Sequence, residues 1–169
     1  MATNQDISIL IVDDNDMTRE TLRVILRHDT YNVVGEATDG SMAVDAATRL
    51  KPDIILLDVV MPKVSGLEAL RSIRMVLPEV MILMVTANKD QETVSEAVQA
   101  GISGYIIKPF NAKKVLDTVQ AVADKVRVNR QNAPPAAPVI VKPEATEIGE
   151  TTEAAPAAMP AESTSSSTE

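Results

Sequence analysis

The chain of 169 residues predicts an α/β protein whose parallel sheet carries helices on both faces. Three observations carry that expectation. Short aliphatic runs alternate with stretches of helical period, the alternation repeats five times, and four of the runs stop at a polar residue. A strand followed by a helix, repeated, leaves few topologies once crossovers are right-handed.

The elements follow in order. Residues 9–12, Ile-Leu-Ile-Val, make a first strand that runs into Asp13 and Asp14. Leu22, Ile25 and Leu26 mark one face of a helix. Residues 31–37 make a less apolar strand, which belongs near a sheet edge. Ala43, Ala46, Ala47 and Leu50 recur at i, i+3, i+4 and i+7, the stripe of an amphipathic helix. The third strand, residues 54–57, is the most continuously apolar and runs into Asp58, so it belongs at the centre. Ser65-Gly-Leu-Glu68 reads as a capping box opening the third helix, with Pro78 just past its end. Residues 81–85 run into Thr86, and a helix from about 90 to 100 follows. Gly101 is placed to end it in a left-handed conformation. Residues 105–107 run into Lys108-Pro109, and Val115, Val119, Val122 and Val126 stripe the last helix. The Lys108–Pro109 bond is a candidate for cis, because an X–Pro bond prefers trans by only about 0.5–1 kcal/mol.

Composition narrows the function classes. Phe110, Tyr31 and Tyr105 are the only aromatics, so the core must be aliphatic. Without cysteine there is no disulfide, thiolate metal site or thiol nucleophile. The N-terminus is polar and no apolar run approaches the roughly 18 residues of a membrane span, so a cytoplasmic, soluble protein is expected. A net charge of −8 argues against nonspecific binding to nucleic acid or membrane. From residue 133 onward six Glu and one Lys leave −5, against −3 for the rest. Periodicity stops after about residue 131. Residues 132–169 are rich in Ala, Pro, Glu, Ser and Thr and hold six of the ten prolines. Such a stretch buries too little apolar surface to offset its ordering entropy, and a disordered acidic tail is expected. About 40 flexible residues would reach roughly 35 Å. A flexible appendage is the plain reading, with Val139-Ile-Val141 as its sticky spot; a partner-docking or localisation segment is the functional alternative.

The chemistry sits at the strand ends. In a parallel sheet these share one edge, where open α/β folds bind ligands. Asp13, Asp14, Asp58, Thr86 and Lys108 therefore converge. Three carboxylates in one crevice repel, and Mg²⁺, a hard cation with oxygen ligands, resolves the repulsion. Asp58 is the better nucleophile candidate, since a carboxylate can attack phosphorus to form an acyl phosphate. Lys108 would supply positive charge and Thr86 a hydrogen bond to a phosphoryl oxygen. The plain alternative makes Asp13-Asp14 a turn and helix N-cap and Asp58 an ordinary strand end. Their coincidence at two strand ends weighs against it. His28, the only histidine, complements a helix dipole more readily than it relays phosphate. Arg19, Arg23 and Arg27 run at i+4 as a solvated face, and the eight Met read as core gap-fillers.

With these residues in place, residues 7–127 resemble the receiver domain of bacterial two-component response regulators, of the stand-alone, CheY-like kind. The matching pieces are Val12-Asp-Asp14, Asp58-Val-Val-Met-Pro62 followed by Ser65-Gly66, Thr86-Ala87, and Tyr105-Ile-Ile-Lys-Pro-Phe110. Gly40, Ala100 and Gly101 match too. The resemblance implies a flavodoxin-like (βα)₅ doubly wound sheet of order 2-1-3-4-5. It makes Asp58 the phosphoacceptor, and assigns Mg²⁺ to Asp13, Asp14, Asp58 and the carbonyl of Val60. Thr86 and Lys108 contact the phosphoryl group, Tyr105 is the switch aromatic, and Pro109 belongs to the same switch segment. It implies a phosphoacceptor switch rather than an enzyme in the usual sense. The donor would be a histidine kinase or histidine phosphotransfer protein, and the output a partner protein or self-association through the 90–126 face. The state would be monomer or phosphorylation-dependent dimer. Val60 and Asn88 stand where the chemotaxis regulator carries a polar side chain and a Glu; both flank the path of the hydrolytic water, and Val60 is expected to hinder it.

Other readings fit less well. A haloacid-dehalogenase-type phosphatase places two Asp one residue apart after the first strand, whereas Asp13 and Asp14 are adjacent and the nucleophile lies on the third. An unphosphorylated scaffold would have no use for this residue set. A flavin would want aromatic loops that the chain lacks. The tail holds no helix-turn-helix pattern, so direct transcriptional output is not expected.

Overall fold

The computed structural model describes residues 3–87 and 91–132. Residues 133–169 of the expected tail and Asn88 lie outside the described residues, while Asn132, expected to open the tail, closes the last helix. Five strands, β1 (Ser8–Val12), β2 (Asn32–Ala37), β3 (Ile54–Asp58), β4 (Met81–Thr86) and β5 (Gly104–Ile107), alternate with five helices. These are α1 (Asp16–His28), α2 (Gly40–Leu50), α3 (Gly66–Val76), α4 (Gln91–Gln99) and α5 (Ala112–Asn132). Every strand pair is parallel and the order is β2-β1-β3-β4-β5. That is the doubly wound sheet expected, with the β2 strand at an edge and β3 at the centre. The pairing of β1 with β2 shifts between Ile9 and Leu10, leaving Val34 as the extra residue of a bulge.

Alternation along the strands sorts the core into two layers. Ile9, Ile11, Ile54, Leu56, Leu83 and Val85 face one way, against Leu22 and Leu26 of α1 and Val115, Val119 and Val122 of α5. Leu10, Val12, Ile55, Leu57, Ile82 and Met84 face the other way, against Ala43 and Ala47 of α2, Leu70 and Ile73 of α3 and Ala97 of α4. The small residues of α2 let that helix approach closely. Side-chain caps begin the helices: Asn15 accepts from Thr18 N at 3.0 Å, Asp39 from Met42 N at 2.9 Å and Asn111 from Lys114 N at 2.8 Å. The Ser65–Glu68 capping box forms as expected, and Gly101 follows α4 with φ +89°. The cap of α1 is Asn15, not the preceding acidic pair, which leaves both carboxylates for the crevice.

The α5 helix runs beyond its apolar stripe. Its last turns are held by ion pairs from Arg127 to Asp6 and from Arg130 to Asp53, the latter at 2.5 Å. A short 3₁₀ turn at Asn4–Asp6 packs there, with Arg130 also donating to Asp6 O at 2.9 Å.

Candidate functional site

The C-terminal sheet edge gathers the reactive groups. Val12 pairs with Leu57, so Asp13 emerges beside Asp58, the last residue of β3. Thr86 ends β4 opposite Ile107, and Lys108 N donates to Thr86 O at 2.8 Å. The Lys108–Pro109 peptide is cis. Asp13 and Asp58 are 1% and 4% exposed and Thr86 is buried, while Asp14 is exposed. Oxygens of Asp13, Asp14 and Asp58 lie within 4.8 Å of one another. Among the described residues this is the one acidic or histidine cluster able to hold a metal ion.

Lys108 binds the pocket together. Its side chain is 21% exposed, and Nζ donates to Asp13 Oδ2 at 2.7 Å and to Asp58 Oδ2 at 3.0 Å. Burial pushes the Asp58 carboxyl above the usual carboxylate range; Lys108 opposes that push and the Asp13 charge adds to it. Burial alone would depress the Lys108 ammonium, but hydrogen bonds to Asp13 and Asp58 outweigh it and hold the pKa above an ordinary lysine's. Three carboxylates against one ammonium leave two negative charges, the charge that a divalent cation balances. The donors are all hard oxygens, and the set fits Mg²⁺.

Local backbone positions Asp58. Val60 N donates to Asp58 Oδ1 at 3.4 Å, and the Val60 side chain is 64% exposed beside it. Gly66 begins α3 directly against the end of β3: a Cβ there would stand 2.0 Å from Asp58 O. Gly66 N donates to Val59 O at 3.0 Å, closing the loop that carries Val60. On the neighbouring loop, Asp39 accepts from Lys63 Nζ at 3.4 Å, tying the start of α2 to that segment. Tyr105 is half-exposed on β5, paired with Met84.

The fold also places His28 and the arginines of α1. His28 is exposed in the last turn of α1, at the opposite end of that helix from Asp13 and Asp14. Arg19 does not belong to a solvated face. Its side chain is 12% exposed, and its three nitrogens reach Asp13 O at 2.9 Å, Glu36 Oε2 at 3.2 Å and Asp16 Oδ1. Arg23 joins the same Glu36 at 2.9 Å, while Arg27 stays exposed. The i+4 spacing places the three arginines on one face. It does not reveal that the edge strand brings Glu36 up to that face.

Residues 9–120 match the response regulator receiver domain family. Protein CcdB of Bacillus subtilis is 40% identical over 114 residues, covering 68% of this chain and 95% of that protein. The chemotaxis protein CheY of Thermotoga maritima is 37% identical over 115 residues, covering 68% and 96%. Among solved structures, the CheX–CheY–BeF₃–Mg²⁺ complex of Borrelia burgdorferi matches with a TM-score of 0.68 and 28% identity, covering 72% of this chain and 98% of that one. No helix among the described residues is long and apolar enough to cross a membrane. The sheet order, the acidic crevice with its lysine and the match over residues 9–120 agree: the chain belongs to the response regulator receiver domain family.

Proposed function

We propose that residues 7–127 form a stand-alone, Mg²⁺-dependent phosphoacceptor switch in which Asp58 takes a phosphoryl group from a histidine kinase or histidine phosphotransfer protein. The observation that supports this most is Lys108 shared between Asp13 and Asp58, at 2.7 and 3.0 Å. It places an ammonium beside the nucleophile and leaves charge for one divalent ion. In the Borrelia burgdorferi complex the related chain carries Mg²⁺ and BeF₃, a mimic of the phosphoryl group, and binds CheX. The same chemistry fits the acids here.

Asp58 attacks phosphorus with a carboxylate oxygen. The new O–P bond forms as the P–N bond of phosphohistidine breaks, and the departing imidazole keeps the electron pair and takes a proton from water. Asp13, Asp14, Asp58 and the Val60 carbonyl would hold Mg²⁺, which supplies charge neutralisation for the transferring group. Lys108 moves its hydrogen bonds from carboxylate to phosphoryl oxygen, and Thr86 donates to another. Burial keeps water from competing with these bonds. The displacement of Thr86 then frees room for Tyr105, and the face over residues 90–126 changes its partner affinity. Turning such an equilibrium from 1:99 to 99:1 takes about 5.5 kcal/mol. A partner protein or a second copy reads the change. Residues 132–169 serve as an acidic appendage to this unit.

Incubation with Mg²⁺ and acetyl phosphate, followed by intact mass measurement, tests the reading. A gain of one phosphoryl group that Asp58→Ala abolishes is the expected result. A parent that binds Mg²⁺ yet takes no phosphoryl group from either acetyl phosphate or a phosphorylated kinase would overturn it.

A further inference from the structure

Asp13 is held at every polar atom it has. Its N donates to Ala37 O at 3.1 Å, its Oδ1 accepts from Asn15 N at 2.9 Å and its Oδ2 accepts from Lys108 at 2.7 Å. The remaining atom, the carbonyl oxygen, accepts from Arg19 Nη1 at 2.9 Å. That carbonyl belongs to the peptide unit joining Asp13 to Asp14, so the guanidinium fixes the plane of the link between the two acids. Asp14 has the exposed carboxylate of the three, and the direction in which its Cα leaves the strand is set by that peptide plane.

A cation so near a cation-binding crevice works against binding unless its charge is met elsewhere. Here it is. Arg19 spends Nε on Glu36 at 3.2 Å and its other terminal nitrogen on Asp16. The planar fork reaches two carboxylates and one carbonyl at once, which a lysine could not do. Glu36 is in turn held by Arg23 at 2.9 Å.

We infer that Arg19 is a positioning residue for the divalent cation: with Glu36 and Asp16 neutralising it, it locks the Asp13–Asp14 peptide so that both acids meet the ion. The inference rests on the proposed Mg²⁺ site. It differs in sign from a purely electrostatic role. Removing a positive charge near three carboxylates should tighten Mg²⁺ if charge is all that matters; freeing the Asp13–Asp14 peptide should weaken it. Loss of groups that orient metal ligands typically lowers affinity about 10–100-fold.

The test is a Mg²⁺ titration of the full ¹⁵N-labelled chain by NMR, reading the dissociation constant from the Asp14 and Val60 amides. Acetyl phosphate labelling at several Mg²⁺ concentrations accompanies it. Arg19→Ala should raise the dissociation constant on the order of tenfold or more, while the labelling rate at saturating Mg²⁺ stays near the parent's. Arg19→Gln keeps the stem and drops the charge, carries the same expectation and serves if the alanine variant does not fold. A folded variant that binds Mg²⁺ as tightly as the parent, or more tightly, overturns the inference. So does a variant whose affinity is kept but whose saturated rate falls. If the parent binds no Mg²⁺, the reading of the site fails with it, which separates the two failures.

Discussion

The two ends of the sheet both hold ion pairs, and they differ in how the carboxylates are matched. At the N-terminal end Asp53 accepts from Ser8 N at 2.8 Å, Ser8 Oγ at 2.7 Å and Arg130 at 2.5 Å. Arg74 reaches three carbonyls there, those of Pro78, Val80 and Gly101. The carboxylates Asp53 and Asp6 at that end each meet an arginine of α5, Arg130 and Arg127. At the C-terminal end Asp13, Asp14 and Asp58 cluster, and Lys108 pairs with Asp13 and Asp58. A matched network holds elements together, whereas an unmatched one keeps an unfilled demand for positive charge. That imbalance, together with the burial of Asp13 and Asp58, separates the site from the scaffold, where Asp53 is partly buried and Arg130 exposed.

The largest effect should come from removing Lys108, the cation paired with Asp13 and Asp58. Lys108→Ala should slow Asp58 labelling by acetyl phosphate on the order of 100-fold at saturating Mg²⁺. An unchanged rate would remove Lys108 from the reaction and flatten the contrast. Next, one kind of substitution should act in opposite directions at the two ends. Asp53→Asn breaks a matched set and should lower stability by about 1–3 kcal/mol in denaturant titration. Asp58→Asn relieves a surplus acid and should raise stability in chelator-treated protein.

The second half of that pair depends on pH in a defined sense. The folded chain holds the Asp58 proton more tightly than the unfolded chain, because the carboxyl lies above its usual range. Asp58 therefore opposes folding once it is ionised, and protonation relieves this. The advantage of Asp58→Asn should be full at neutral pH and shrink as pH falls toward about 4, the unfolded carboxylate value. Unfolding midpoints of the two proteins across that range give the answer. A gap that widens on acidification would contradict the assignment.

Two smaller effects sharpen the comparison. If the exposed Val60 hinders the approach of water to Asp58, Val60→Asn should shorten the lifetime of the acyl phosphate several-fold. Label lost no faster than in the parent would place the barrier elsewhere. At the other end, Tyr31 is buried and donates to Gln120 Oε1 at 3.0 Å; burial, with Asp29 adding, pushes its phenol up to about 12. The unfolded phenol ionises near 10, so stability should fall between pH 10 and 12. The late phase of an ultraviolet tyrosine titration should vanish in Tyr31→Phe.

Much of this was legible in the residues. Aliphatic runs stopping at Asp13, Asp58, Thr86 and Lys108 place four strand ends on one edge, and a weakly apolar second strand places itself outermost. Local signals such as Ser65–Glu68 and Gly101 need only their neighbours, and both act as spaced. What stayed hidden depends on partners far along the chain. Arg19 looks solvated until the β2 strand delivers Glu36, and the last turns of α5 lack an apolar stripe because Arg127 and Arg130 find Asp6 and Asp53 instead. Periodicity reports which face a residue shares. It does not report which distant element arrives at that face.

The missing side chain of Gly66 has a consequence for anyone scanning this protein by mutation. A methyl at position 66 would lie 2.0 Å from Asp58 O and 2.8 Å from Val59 Cα, so the strand end and the helix start could not both keep their places. Gly66→Ala would thus present as a dead switch with every reactive group still encoded. A screen that ranks positions by polarity would pass over it. The tolerance of the reaction centre to error is set, at this point, by room for one carbon atom.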